Sequence, residues 1–386
     1  LIENKLRRFF IGTVTVHVTG GKMIFKKRSF VYFSIGMTIA AGFGMFLRRK
    51  KRIIRRIMLQ SEEHPKVVVD CQNVLGEGVV WDPKEGAVYW VDIEGKTLHQ
   101  YLPDHNGAYR TWILPKRPGS IALACDGRML IAFEDGFVLY DLETRDMEPI
   151  EAPYQQVGMI RLNDGKTDRQ GRFVCGGFNG EDEGKPEWKP ACSVYQVGLD
   201  LSVREILDFK VKCANSICFS PDGDKMYFTD SPSREILVFD YDGKTGNVSN
   251  RRVFACVPEP GLPDGSTCDS EGYLWNTEWG SGRVVRYTPD GKVDRVVHVP
   301  TASRLTCPAF GGSELRTLYI TSASVGLTLA ERQAEPAAGA LFALELKDVK
   351  GIEETRFGEL EEVYIEDEEG AFLSLSDDDD DMIKFE

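Results

Sequence analysis

The stretch Arg161-Leu162-Asn163-Asp164-Gly165-Lys166 places a guanidinium, a carboxamide and a carboxylate almost side by side. Glu77 in Leu75-Gly76-Glu77-Gly78, then Asn215, then Pro263-Asp264-Gly265 repeat the theme of an acid or amide at a turn-like position. Two carboxylates with one or more amide oxygens make a hard, oxygen-rich donor set. Calcium, magnesium or manganese suits it by softness, and zinc also accepts carboxylates. A guanidinium offers only N–H donors, so Arg161 cannot ligate a cation. These residue types predict one divalent cation, provided that the fold brings positions 77 to 264 to a common centre.

The surrounding pattern supplies such a fold. Turn-forming clusters precede short apolar strands six times: Trp81-Asp82-Pro83 before 87–92, Cys125-Asp126-Gly127 before 128–133, Asp168-Arg169-Gln170-Gly171 before 172–177, Ser220-Pro221-Asp222-Gly223 before 225–230, Asp269-Ser270-Glu271-Gly272 before 273–277, and Gly311-Gly312-Ser313 before 317–322. The units recur roughly every 40 to 50 residues, the interval of propeller blades. Most are followed by a second strand, such as 237–241 or 284–287, and no helical apolar period separates them. The pattern predicts an all-β, six-bladed β-propeller with a central-channel metal site. Loops entering the innermost strands would carry Glu77 to blade one, Asn163 and Asp164 to blade three, Asn215 to blade four and Asp264 to blade five. Lys66–Val69 is expected to close the ring by pairing with the blade near 317–346.

The chain divides by composition into a basic, hydrophobic leader (1–60), a propeller domain (61–365) and an acidic tail (366–386). The leader holds 14 of the 47 Lys/Arg and one of the 60 acids, which leaves 33 against 59 and a net charge of −26 for the remainder. So acidic a body disfavours nucleic acid as a partner. Within the leader, 29–47 is an uncharged run flanked by basic clusters, just long enough to span a bilayer. It reads as an anchor holding the propeller on the cytoplasmic side, as an organellar presequence, or as an extension outside the working protein, since Met58 shortly precedes the first strand. The tail, with five Asp at 377–381, reads as solvated. The nine Cys show no Cys-x-x-Cys, the signature of unpaired thiols in a reducing compartment, and the cytoplasm fits. His64, His99, His105 and His298 show no ligand spacing, and no Gly-x-Ser-x-Gly is present, which argues against zinc-protease and serine-hydrolase chemistry.

From about residue 67 to 357 the sequence resembles the senescence-marker/regucalcin/gluconolactonase family of six-bladed propellers. The resemblance is carried by Leu-Gly-Glu-Gly-Val-Val-Trp-Asp (75–82), Arg-Leu-Asn-Asp-Gly-Lys-Thr-Asp (161–168), Asn-Ser-Ile-Cys-Phe-Ser-Pro-Asp-Gly (215–223), Tyr-Phe-Thr-Asp-Ser (227–231), Leu-Pro-Asp-Gly (262–265) and Thr-Cys-Pro-Ala-Phe-Gly-Gly (306–312). It implies a divalent-metal lactonase that opens a sugar lactone, an aldonolactone such as gluconolactone. By that resemblance Glu77, Asn215 and Asp264 hold the metal, while Arg161 and Asn163 contact the sugar. Asp264, touching both metal and water, would also act as the catalytic general base. Glu181 is the nearest match to a substrate-contacting glutamate. The segment 180–188 is more charged than the family pattern, and Glu183 is the alternative there. Two other functions compete with hydrolysis: a calcium-binding regulatory protein and a non-catalytic propeller scaffold.

Overall fold

Alternating apolar residues in segments of four to eight, punctuated by Asp-Gly and Asn-Gly turns, favour short antiparallel strands joined by tight loops. The computed structural model describes residues 64–153, 159–181 and 183–358, with the backbone of 364–366 and 372–374. Six four-stranded antiparallel sheets form the blades. Their innermost strands are Gly76–Asp82, Pro118–Leu123, Ile160–Thr167, Ala214–Phe219, Leu262–Cys268 and Leu305–Gly311, and these pack consecutively around the ring, blade six meeting blade one. Lys66–Val69 pairs antiparallel with Leu341–Glu345 as the outer strand of blade six. Ring closure thus joins the two ends of the propeller sequence, as the strand pattern predicts.

Six apolar clusters hold the ring, one between each pair of neighbouring blades. Trp81 and Trp90 of blade one, for example, share a cluster with Ala309 and Tyr319 of blade six. Burial on both faces of every inner strand follows, because each blade is sandwiched between two others. Truncating a fully buried aromatic such as Trp90 would cost about 3–5 kcal/mol. His99 lies in this scaffold, in a mutually stacked trio with Trp90 and Tyr109, and burial drives its pKa down to about 4. It is a structural side chain.

Cys71, Cys175, Cys213, Cys218, Cys256, Cys268 and Cys307 are free thiols. Residues 350–358 cross one end of the channel. Gly351 bridges Asp269 of blade five, Phe357 N–H donates to Leu123 O of blade two at 2.7 Å, and Arg356 pairs with Asp82 of blade one at 2.6 Å. Glu354 enters the channel and pairs with Lys166 of blade three at 3.0 Å, both nearly buried. A short ladder joins Tyr364–Glu366 to Phe372–Ser374. No helix among the described residues is long and apolar enough to cross a membrane. The leader run 29–47 and the five-Asp run lie outside the described residues.

Candidate metal and substrate site

The candidate residues occupy the inner strands themselves and not the loops before them, so the expected turn positions are corrected. Glu77 lies in Gly76–Asp82, Arg161, Asn163 and Asp164 in Ile160–Thr167, Asn215 in Ala214–Phe219 and Asp264 in Leu262–Cys268. Each strand slips register at that point: between Glu77 and Val80, Leu162 and Gly165, Asn215 and Cys218, and Pro263 and Ser266. A bulge sets two residues against one and turns a side chain off the regular alternation, here toward the channel. Gly265 shows why the turn-like tripeptides are not turns: a Cβ there would stand 2.7 Å from Thr306 O of the next inner strand. The glycine permits close approach of neighbouring backbones.

The aspartates that end the second strands fix the entry to these bulges. Asp92 accepts from the amides of Val74 and Leu75 at 2.8 and 3.0 Å, just ahead of Glu77. Asp230 does the same for Lys212 and Cys213 at 3.1 and 2.9 Å, ahead of Asn215.

Glu77, Asn163, Asp164, Asn215 and Asp264 are buried, each 5–6% exposed, and so is Arg161. Arg161 Nη1 donates to Asn163 Oδ1 and to Leu162 O, and its guanidinium lies 4.6 Å from the centre of the Phe178 ring. Asn163 Nδ2 donates to Asn215 Oδ1 at 3.0 Å and to Ala214 O at 2.9 Å. Asp164 Oδ2 accepts from Ile217 N–H at 2.9 Å. Asp264 Oδ1 is buried with no hydrogen-bond partner. Beneath it Asn276 Nδ2 donates to Asp264 O at 3.0 Å and to Ser216 Oγ at 2.9 Å.

Electrostatics ties the three acids into one cluster. Burial and then the Asp164 charge push Glu77 up to about 8. Burial raises Asp164 to about 6, and burial with the charges of Glu77 and Asp164 raises Asp264 well above the carboxylate range. Burial lowers the Arg161 pKa, although the guanidinium partly offsets the charges of Glu77 and Asp264. Uncompensated buried carboxylates are costly unless they take up protons or a cation. The orphaned Asp264 oxygen and this mutual repulsion fit a divalent cation with oxygen ligands. No group of three or more His, Cys, Asp or Glu that could hold a metal ion occurs among the described residues, so a metal reading rests on the Asn215 amide oxygen as a ligand.

The structure thus brings Glu77, Arg161, Asn163, Asn215 and Asp264 into one network of hydrogen bonds and charges. Glu181 stands apart from it: it is exposed, beyond the second strand of blade three, with its amide donating to Asn179 Oδ1 at 3.0 Å. Glu183 is exposed as well. Asp164, Phe178 and Ser231 join the site without having been assigned roles in it. Asp164 stands next to Asn163 in sequence, whereas nothing in the sequence places Phe178 under Arg161.

A six-bladed propeller whose bulged inner strands aim buried acids and amides into one channel defines the class of this protein. A family model described as the SMP-30/Gluconolactonase/LRE-like region matches residues 75–324. The chain is 40% identical over 294 residues to L-arabinolactonase of Azospirillum brasilense, covering 75% of this chain and 94% of that one. It is 32% identical over 293 residues to regucalcin of Xenopus laevis, covering 75% and 97%. Among solved structures, the calcium-binding protein regucalcin from Agrobacterium tumefaciens str. C58 is similar with a TM-score of 0.71 at 32% identity, covering 76% of this chain and 97% of that one. The chain belongs to the SMP-30/gluconolactonase/LRE-like family.

Proposed function

We propose that this protein is a divalent-cation-dependent lactonase that opens a sugar lactone, an aldonolactone such as gluconolactone. The observation that carries the reading is the Asp264 carboxylate, buried with one oxygen unpaired, among two further buried acids and beside Arg161. Kinship with an L-arabinolactonase supports the reaction class. Glu77, Asn215 and Asp264 would hold the cation, whose identity among calcium, zinc, manganese and magnesium is left to experiment. A bound cation would supply Lewis-acid polarisation of the lactone carbonyl and favour the ionised form of the acids around it.

The chain's own groups do the rest. The Asp264 carboxylate takes the proton of the attacking water and returns it to the ring oxygen as the acyl C–O bond breaks. Both described bonds of Arg161 use Nη1, so Nε and Nη2 are left to grip sugar hydroxyls and fix the ring's pose. Asn163 is engaged at both ends, to Arg161 and to Asn215, so it orients these two as well as facing the sugar. Glu181, on the exposed turn beyond Asn179, would reach a bound sugar only from the rim.

A calcium-binding regulatory role is the second reading, favoured by likeness to a calcium-binding regucalcin. It uses the same ligands and predicts no turnover. Acid release from a panel of aldonolactones, measured on chelator-stripped protein with each cation added back, separates the two. Turnover restored by a cation supports the lactonase, and cation binding without turnover on any lactone supports the alternative.

A further inference from the structure

We propose that Ser231 is a positioning residue that fixes which end of the Asn215 amide faces the cation, an inference that rests on the reading of Asn215 as a ligand. Ser231 opens a 3-10 turn, Ser231–Ser233, directly after the second strand of blade four. It is buried, and its amide donates to Cys213 O at 2.9 Å. Its hydroxyl stands between two blades: Oγ donates to Pro263 O of blade five at 2.8 Å and accepts from Asn215 Nδ2 of blade four at 2.9 Å.

The sense of these bonds is forced. A carbonyl only accepts, so Pro263 O takes the single hydroxyl proton of Ser231, and Ser231 is left with lone pairs alone. The Asn215 end that meets it must therefore be the NH2, which turns Oδ1 toward the cluster. The other side agrees. A guanidinium only donates, so Arg161 faces Asn163 Oδ1, and Asn163 Nδ2 then faces Asn215 Oδ1. One chain of bonds runs from donor-only Arg161 through Asn163, Asn215 and Ser231 to acceptor-only Pro263 O, and it admits a single polarity. Asn215 Oδ1 keeps one lone pair for a cation. Pro263 directly precedes Asp264, so the same hydroxyl joins the amide ligand of blade four to the strand bearing the carboxylate ligand of blade five.

The test is cation affinity by calorimetry on chelator-stripped full-length protein, using calcium and manganese, with the thermal midpoint of the cation-free variants as a folding check. Ser231→Ala is expected to bind about tenfold or more weakly, the scale seen when a group orienting a metal ligand is lost. Ser231→Thr, which keeps the hydroxyl, should restore binding. In an Asn215→Asp background the ligand has two like oxygens and no sense to fix, so the penalty of Ser231→Ala should shrink to about twofold or less. If Ser231→Ala does not fold, Ser231→Cys takes its place, because sulfur is the weaker acceptor. Equal affinity of wild type and Ser231→Ala, or the same loss in both backgrounds, would overturn the proposal while leaving the cation site standing. A wild-type protein that binds no cation would overturn the site and this proposal together.

Discussion

Replacing Glu77 with Gln should stabilise the cation-free protein. The carboxyl is pushed from an ordinary 4.5 up to about 8 by burial and by the Asp164 charge. Because the folded form holds its proton to higher pH than the unfolded chain, the favourable contribution is complete below pH 4.5 and is lost as pH rises to about 8. At pH 7 the native protein must still keep a proton that the unfolded chain has released. That difference, about 2.5 pH units, corresponds to about 3 kcal/mol of native-state cost. A neutral carboxamide carries no such cost, so Glu77→Gln in chelator should melt about 5 °C or more above wild type at pH 7. The advantage should shrink at pH 5. The slope of stability on pH should also drop by up to about 1.4 kcal/mol per unit, the contribution of one proton. With saturating calcium the order should reverse, because only wild type retains the ligand. Thermal melts at pH 5, 6, 7 and 8, with chelator and with calcium, measure all of this. A Glu77→Gln protein less stable than wild type in chelator at pH 7, or unchanged in its pH slope, would refute the argument from buried charge.

Asp264→Ala should abolish turnover even under excess cation, because charge and base leave together; steady-state kinetics showing substantial residual kcat would remove the proposed base. Arg161→Ala should raise KM with cation affinity nearly intact, read by kinetics beside calorimetry, since a guanidinium does not ligate a cation; loss of the cation would show that Arg161 supports the site and not the substrate. Glu354→Gln should cost about 3 kcal/mol in denaturant unfolding by leaving Lys166 charged and unpaired inside the channel, and an unchanged midpoint would show that the 350–358 segment contributes no stability. Removing residues 1–72 should destabilise the ring more than removing 1–60, because only the first takes away the strand paired with Leu341–Glu345; equal thermal midpoints would contradict closure by Lys66–Val69.

The blade count was legible because the second strand of each unit, such as Tyr89-Trp90-Val91-Asp92 or Tyr227-Phe228-Thr229-Asp230, is a dense apolar run behind a clear turn. The inner strands were not, for the same physical reason that makes them functional. Pro263-Asp264-Gly265-Ser266 reads as a turn by residue type, yet it is bulged strand, with its glycine required by the closeness of Thr306 O and its acid aimed at the channel. Motif resemblance and blade spacing single out Glu77, Asn215 and Asp264, and the structure adds the charge coupling of the two acids and the hydrogen bonds around the Asn215 amide. The crossing of the channel by 350–358 was invisible in sequence, because Glu354 finds its partner Lys166 on a strand three blades earlier in the ring. Glu181 lies on an exposed turn beyond Asn179, and sequence position alone does not set where such a turn points.

The most direct test titrates one cation into chelator-stripped wild-type protein while recording binding by calorimetry and acid release from the best aldonolactone of the panel on the same concentration axis. The account predicts no enzymatic turnover without cation, a single binding event, and turnover that rises in proportion to its occupancy, with Asp264→Asn failing to recover activity at any occupancy. Full turnover in the presence of chelator, or a filled site with no acid release from any lactone, would contradict it.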